Sequence, residues 1–487
     1  NIGTETIQNT AIDSLHIETK IIEKNKPVTL SATIKNYNDK QLKNFVASLY
    51  LDGLRVGQSS LDLEPWGTSE ISLTATPKHS GFIKGFLEIE NDAIEQDNKR
   101  YFTVYIPEKL KTVIISSTSD DSRFIKLALR AGSSESPDSL FDISEVRPER
   151  LSTIDIKKAD ALIATGIKYL SITDMDKIKT YVEQGGGIMI FPDKDFSNEQ
   201  YNSFLSKLNI SPVESVLKTS PDAGMSFQKI DYDHPIFSGM FKAVKKSSEK
   251  NLESPKIFMA IKRQGGKLAH TIITMGDGSG FWTDEKFGNG RILLYSAAPV
   301  LSWSNFPLKG IFAPLIYRSS MYVSGDQETQ PSFIVGQEAA IKLKSPQLTQ
   351  SKCKLILPDA TEEILQTNLE NPSLNQTDLL TLGKLDQSGI YTLNDGTKNI
   401  ALISSNVDKM ESDIRKISHD ELTIYWEKFG INPGSVKNLG PNEKLHESIL
   451  ASRYGVELWK YAIALVLILA LIEMFVARDR KEKAFQQ

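Results

Sequence analysis

Between residues 26 and 107 the chain alternates apolar and polar positions with a period of two. KPVTLSATIKNY, NFVASLYLDG, TSEISLTATP, GFIKGFLEIE and KRYFTVYIP all show it. Alternation of this kind sends successive side chains to opposite faces of a pleated strand. Asp52-Gly53, Pro65, Pro77 and Asn91-Asp92 punctuate the runs. Short strands at regular spacing with no helical period predict a small antiparallel β-sandwich over 17–107, entered through a linker at 1–16.

The period changes at Leu110. KTVIISS, LFDISEVRP, ADALIATG and IMIFP are apolar runs, and RFIKLALRAG, DMDKIKTYVEQ and SNEQYNSFLSKL between them carry apolar residues at helical spacing. Buried strands alternating with amphipathic helices predict a doubly wound α/β domain over 108–328, its parallel sheet covered on both faces. Thr173 and Ser197 stand where helix caps are expected, and the second helix packs through Ile178, Tyr181 and Val182. It ends at three glycines, Gly185 to Gly187, which precede the strand IMIF. A phosphate loop or a nucleophile elbow follows its strand, so these glycines read as a helix terminator and tight turn. IFMAIKR, AHTIITMG and RILLYSAA predict an antiparallel completion of the sheet, with Gly288-Asn289-Gly290 as a hairpin turn. SFIVGQEAAIKLK, CKLILP, GIYTLNDG and NIALISSN predict a second, smaller β module at 329–406, followed at 407–455 by mixed helix and loop with breaks at GINPGS and LGPNEK.

LWKYAIALVLILALIEMFVA, Leu458 to Ala477, has the length and composition to cross the ~30 Å hydrocarbon core of a bilayer, and predicts a transmembrane helix at 456–478. Trp459 and Tyr461 suit one interface, and Arg478, Arg480, Lys481 and Lys483 mark the tail, 479–487, as cytoplasmic. The bulk of the chain then lies outside the cytoplasm, which calls for an export signal upstream of Asn1. Glu473 either snorkels toward the basic tail or faces a partner helix. The formal charge of −4, from 57 basic and 61 acidic residues without a basic stripe, argues against a nucleic-acid partner. A single cysteine, Cys353, excludes an internal disulfide and a thiolate metal cluster.

Ligands of open α/β sheets bind beyond the carboxyl ends of the strands. The loops there, 116–122, 165–171, 192–197 and 296–303, carry Ser117, Asp120, Asp121, Asp193, Asp195, Ser296 and Trp303. Ser117, Asp120, Asp121, Asp193, Asp195 and Trp303 form the candidate ligand rim. Four of them have a structural alternative. Asp121 and Ser122 suit a helix cap, Asp193 and Asp195 suit the positive end of a helix, and Trp303, like Trp282, suits a core. Asp193 and Asp195 lack a third metal ligand. His234 beside Pro235 reads as a packing or hydrogen-bonding residue, and the histidines at 16, 79, 270, 419 and 446 lack metal-ligand spacing. GxSxG, HExxH and Walker motifs are absent, so no cofactor and no metal is expected.

YVEQGGGIMIFP after ADALIATG is similar to the class I glutamine amidotransferase-like fold. DHPIFSGMF, GNGRILLYSAAPVLSWSNFPLKGIFAPLIYR, GIYTLNDG and SNVDKMESDIRKIS, followed by a span opening with LWKY, resemble bacterial membrane proteins of the BatA (aerotolerance regulator) type over roughly 110–478. Residues 17–107 resemble a CARDB-type adhesion sandwich. The resemblance implies a protein of the bacterial inner membrane, with BatA helices and a von Willebrand A domain upstream. It also implies other envelope proteins as partners, a MoxR-type ATPase system among them, and a role in aerotolerance or envelope stress. These residues contain no DxSxS motif, so no metal site is carried over. A working amidotransferase has a cysteine on the elbow after the strand that here is IMIF. Pro192 and Asp193 stand there instead, which implies a non-catalytic protein-binding scaffold. A domain that senses or hydrolyses a ligand through the strand-end aspartates, and a spacer that holds the upstream domain off the membrane, are the alternative expectations.

Overall fold

The computed structural model describes residues 8–131, 139–220, 223–238, 240, 254–263, 269–324, 331–343, 352–366, 378–413, 419–432, 446, 449 and 458–484. The chain is mixed α/β, with several β-sheets, few helices and one long apolar helix near its C-terminus. Residues Gln8–Ile414 form one compact unit.

That unit begins with a sandwich of β1 (Thr10–Ile17), β2 (Val28–Asn36), β3 (Leu42–Leu51), β4 (Leu54–Leu63), β5 (Thr68–Ala75), β6 (Gly81–Ile89) and β7 (Lys99–Ile106). One sheet runs β1-β2-β5 and the other β4-β3-β6-β7. Leu30, Ile34, Leu49, Leu63, Ile83 and Leu87 fill the space between them. In β2 alternate residues from Val28 to Asn36 are buried, as the pattern requires. The expected linker at 1–16 needs correction: Thr10 onward is a strand, paired antiparallel with β2. A bulge between Ile12 and Ser14 breaks its alternation and hides it from the pattern. β4 also escapes the pattern, because only Leu63 of its ten residues is buried. The Asp52-Gly53 turn holds β4 against β3, with φ of 47° and 78°, the left-handed pair that a two-residue hairpin needs.

The central module contains β8 (Leu110–Ser116), α1 (Ser119–Ala131), β9 (Phe141–Val146), β10 (Ala161–Thr165), α2 (Ile172–Glu183), β11 (Gly187–Ile190), α3 (Asn198–Lys207), β12 (Val213–Lys218), β13 (Phe227–Ile230), β14 (Met259–Arg263), β15 (Ala269–Met275), β16 (Gly280–Phe287), β17 (Gly290–Tyr295) and α4 (Phe312–Val323). Its eight-stranded sheet has the order β13-β15-β16-β17-β11-β10-β8-β9. The five strands from β17 to β9 are parallel, and every residue of β10 and β11 is buried. The chain leaves β8 toward β9 on one side, then crosses back to β10 and β11 on the other. Right-handed crossovers therefore set α1 and α2 on opposite faces, and α4 packs beside α1.

Three expectations are corrected here. The strand of IFMAIKR, β14, pairs with β12 in a separate ladder, and β16 instead completes the sheet through the Gly288-Asn289 turn. β16 carries Thr283, Asp284 and Glu285 into the interior, so it lacks the apolar signature of a buried strand. The cap of α2 is Ser171, whose side chain accepts from the Asp174 N–H, and Thr173 lies inside the helix. Ser197 does precede α3, without a side-chain cap bond.

The glycine triplet closes α2. Gly185 sits at φ 110°, its N–H donates to the Val182 carbonyl at 3.0 Å, and the Gly186 N–H donates to the Tyr181 carbonyl at 2.9 Å. Those two bonds make a Schellman motif. Gly187 then starts β11 against α4, so closely that a Cβ would lie 1.9 Å from the Val323 carbonyl oxygen.

A third module comprises β18 (Ser332–Ile334), β19 (Glu338–Leu343), β20 (Lys352–Ile356), β21 (Glu362–Gln366), β22 (Asp378–Lys384), β23 (Gly389–Asn394) and β24 (Asn399–Asn406). It forms one sheet of order β18-β24-β23-β20-β21 and a ladder β19-β22. It folds back on the sandwich. Asn406 Oδ1 accepts from the Tyr101 N–H at 2.6 Å and Nδ2 donates to the Tyr101 carbonyl at 3.0 Å, so one amide side chain mimics a strand neighbour. Arg318 of α4 joins the central module to the sandwich, with Nη1 3.2 Å from Glu23 and Nε donating to the Ile236 carbonyl at 2.6 Å.

The remaining unit contains α5 (His419–Lys428) and α6 (Trp459–Ala484). Over Trp459–Val476 α6 has a mean hydropathy of 2.1, long and apolar enough to cross a membrane. The helix continues through the expected tail as far as Ala484. LGPNEK and the end of GINPGS lie outside the described residues.

Gly187→Ala should destabilise the protein by ~2 kcal/mol or more, because the clash is with backbone that cannot move aside. Urea unfolding of the two proteins measures this, and a change within ~0.5 kcal/mol would contradict the packing described.

Candidate functional site

The strand order reverses between β8 and β10, and the crevice at such a reversal is where an open α/β sheet receives ligands. Asp121, in the first turn of α1, occupies it and is only 2 % exposed. Its Oδ2 accepts from the Thr118 N–H at 3.1 Å and from the Thr118 hydroxyl at 2.6 Å, closing the helix N-terminus as a capping box does. The Thr165 hydroxyl at the end of β10 donates to the Asp121 carbonyl at 3.2 Å. Gly166 follows at φ 60°, and a Cβ there would meet Asp121 Cγ at 2.4 Å. From the loop after β11, Lys194 Nζ comes within 3.4 Å of Asp121 Oδ1.

Asp193 and Asp195 flank that lysine. Asp193 is 4 % exposed, its Oδ1 accepts from the Asp195 N–H at 2.6 Å, and its Oδ2 has no hydrogen-bond partner among the described residues. Burial pushes the Asp193 carboxyl above its ordinary range. The Asp121 and Asp195 charges add to that rise, while the Asp195 N–H and the Lys168 charge oppose it. Asp195 is exposed, and Lys168 Nζ at 2.8 Å holds its carboxyl below the ordinary range. Ser117 Oγ, half-buried, accepts from the Lys168 N–H at 3.4 Å. Buried Trp303 braces the same loop by donating from Nε1 to the Lys194 carbonyl at 3.1 Å.

Ser117, Asp121, Asp193, Asp195 and Trp303 are thus brought to one end of the sheet. Asp120 is not, since it stands exposed on the first turn of α1. Ser296 is buried under β16, where its hydroxyl donates to the Gly280 carbonyl at 2.6 Å. The residues that complete the cluster, Lys168 and Lys194, were in view in TGIK and PDKD, but which carboxylate each would meet depends on how the loops fold together. Glu145 at the end of β9 is another partner that the pattern did not reveal. It accepts from Ser116 Oγ at 2.7 Å, from Ser122 Oγ and from Lys126 Nζ at 2.8 Å. Burial raises its pKa, but these three donors outweigh burial and leave it below the ordinary range. His234 belongs to the opposite end of the sheet. Its Nε2 is 3.2 Å from Asp284 Oδ2, the oxygen that also takes Arg291 at 2.7 Å and Tyr322 at 2.8 Å.

Chemically, the cluster pairs Asp195 with Lys168 and Asp121 with Lys194, and leaves the Asp193 Oδ2 without a hydrogen-bond partner among the described residues. Among the described residues no group of three or more His, Cys, Asp or Glu side chains is placed to hold a metal. A crevice beside it, lined by Ile167, Lys168, Met175, Ile190 and Tyr201, offers about 20 Å³, room for one water.

No protein-family model matches the chain, and no curated protein matches it in sequence. Solved structures give partial likenesses. A cytoplasmic protein from Salmonella typhimurium is 12 % identical with a TM-score of 0.33, covering 44 % of this chain and 98 % of its own. A ThuA-like protein from Bacteroides uniformis is 10 % identical with a TM-score of 0.33, covering 45 % and 91 %. The CARDB domain of a Pyrococcus furiosus protein, in complex with di-metal ions, is 14 % identical with a TM-score of 0.19, covering 22 % and 93 %. Likenesses this low say nothing of this chain's activity.

Asp193→Asn should stabilise the protein at neutral pH. A carboxyl whose folded pKa is raised costs nothing while both states are protonated, destabilises the fold progressively as pH rises above the ordinary value, and reaches its full cost above the raised one. The gain should therefore shrink as pH falls toward the ordinary aspartate value of 3.8 and vanish below it. Thermal unfolding of both proteins across that range measures the difference, and a gain that persists at low pH would contradict the assignment.

Proposed function

We propose that the chain is a non-catalytic, membrane-anchored protein whose modules outside the cytoplasm bind other proteins. The observation that carries this reading is the loop after β11. Where an amidotransferase-like domain would present its nucleophile, this chain has Pro192 and then Asp193, a buried carboxylate hydrogen-bonded to its own loop. The lysines beside it are engaged with Asp121 and Asp195. Such a site lacks the cysteine nucleophile of an amidotransferase, since the one cysteine, Cys353, lies in the third module.

In this reading α6 is the anchor, and the basic residues after Val476 keep its C-terminal end in the cytoplasm of a bacterial inner membrane. The central module is an amidotransferase-like scaffold, and the sandwich a CARDB-like adhesion surface. The sequence resemblance to BatA-type proteins supports envelope partners linked to a MoxR-type ATPase and a role in aerotolerance or envelope stress. One observation favours a second reading, a ligand sensor: the unpartnered Asp193 Oδ2 is a stability cost of the kind kept where a ligand's donor completes the site.

Crosslinking of the full chain in its native membrane should recover defined partner proteins, and Asp193→Asn should leave them unchanged. A defined turnover of a small substrate, lost in Asp193→Asn and accompanied by no partner, would overturn the proposal in favour of the second reading.

A further inference from the structure

We infer that α5 lies in the membrane–water interface as a short amphipathic helix, an inference that rests on reading α6 as a membrane span. Leu422, Tyr425, Trp426 and Phe429 fall at i, i+3, i+4 and i+7, one face of a helix. Tyr425 is 51 % exposed and Phe429 66 %, with their ring centroids 4.9 Å apart. Trp426 between them is half-buried, with its Nε1 shielded from solvent. Exposed Ile431 follows them in the chain, and exposed Ile424 stands on the opposite side of the helix among the charged positions. Asp420, Glu421, Glu427 and Lys428 take the other positions of the same helix.

Two features select a lipid surface over a soluble partner. Tyrosine and tryptophan combine an apolar body with a polar edge, which is the composition that the interfacial layer of a bilayer favours. Most directly, only the chain between Asn432 and Leu458 separates α5 from the apolar window of α6, at most about 90 Å even fully extended. A face so tethered meets the bilayer as an intramolecular event, at an effective concentration that no freely diffusing partner matches. The charged positions are mostly acidic, so anionic headgroups add no attraction, and the apolar face alone carries the binding. Phosphatidylcholine should therefore suffice.

The test uses the full chain in phosphatidylcholine vesicles with a nitroxide on Tyr425→Cys, and in a second protein on Leu467→Cys within the span. Cys353 does not interfere, because it is buried and burial pushes its thiol pKa up. At Tyr425→Cys, collision with lipid-dissolved oxygen should exceed collision with a water-soluble nickel chelate several-fold, at a depth shallower than Leu467→Cys. Adding Trp426→Asp and Phe429→Asp should reverse that ratio. Free access of nickel to Tyr425→Cys while Leu467→Cys stays in lipid overturns the inference and leaves the membrane reading standing. So does nickel exclusion with strong spin–spin coupling between copies, which would make a second copy the cover. Nickel access at both sites overturns the membrane reading and the inference with it.

Discussion

Asp121 is the residue on which the carboxyl end of the sheet depends. Its carboxylate closes the N-terminus of α1 through Thr118, lies over Gly166 with no room for a Cβ, and meets Lys194 from the loop after β11. Three consecutive strand–loop connections therefore converge on one side chain. The carboxylate is 2 % exposed, its Oδ2 takes both donors of Thr118, and its Oδ1 has Lys194 at 3.4 Å but no hydrogen bond among the described residues. The crevice where an open α/β sheet would hold a ligand is occupied by the protein's own charges, with Trp303 and Asp195 keeping their lysine-bearing loops in place.

The other end of the sheet is governed by packing. Gly185 turns the chain out of α2, and Gly187 lets β11 run against the backbone of α4. Similar economy appears where modules meet. Asn406 pairs with the backbone of Tyr101 as a strand would, and Arg318 is shared between Glu23 and the carbonyl of Ile236. Polar groups buried at such junctions cost free energy unless they are paired, so they favour one relative arrangement of the three modules over others.

Much of this was legible in the residues and some was not, for identifiable reasons. β2 and β5 to β7 declare themselves by alternation, and β8, β10 and β11 by unbroken apolar runs, because burial on one face or two leaves those periods in the sequence. β4 is polar on nearly all its positions, and β16 takes Asp284 and Glu285 into the interior, where Arg291 and Arg263 meet them. Neither leaves the expected trace. α4 buries Ser319 and Ser320 together with its apolar residues, so its buried face does not follow polarity. At the site, the strand-end aspartates could be named from loop position alone. Their lysine partners could not, since Lys168 meets Asp195 and Lys194 meets Asp121 across loops that are distant in sequence.

If Asp121 and Lys194 hold those loops together, their contributions to stability must be coupled. A double-mutant cycle on the full chain, with Asp121→Asn and Lys194→Met followed by urea unfolding, isolates that coupling from the capping role of Asp121. The account predicts an interaction energy of about 1 kcal/mol or more. Additivity within ~0.3 kcal/mol would contradict it, and would return the crevice to the status of an open site.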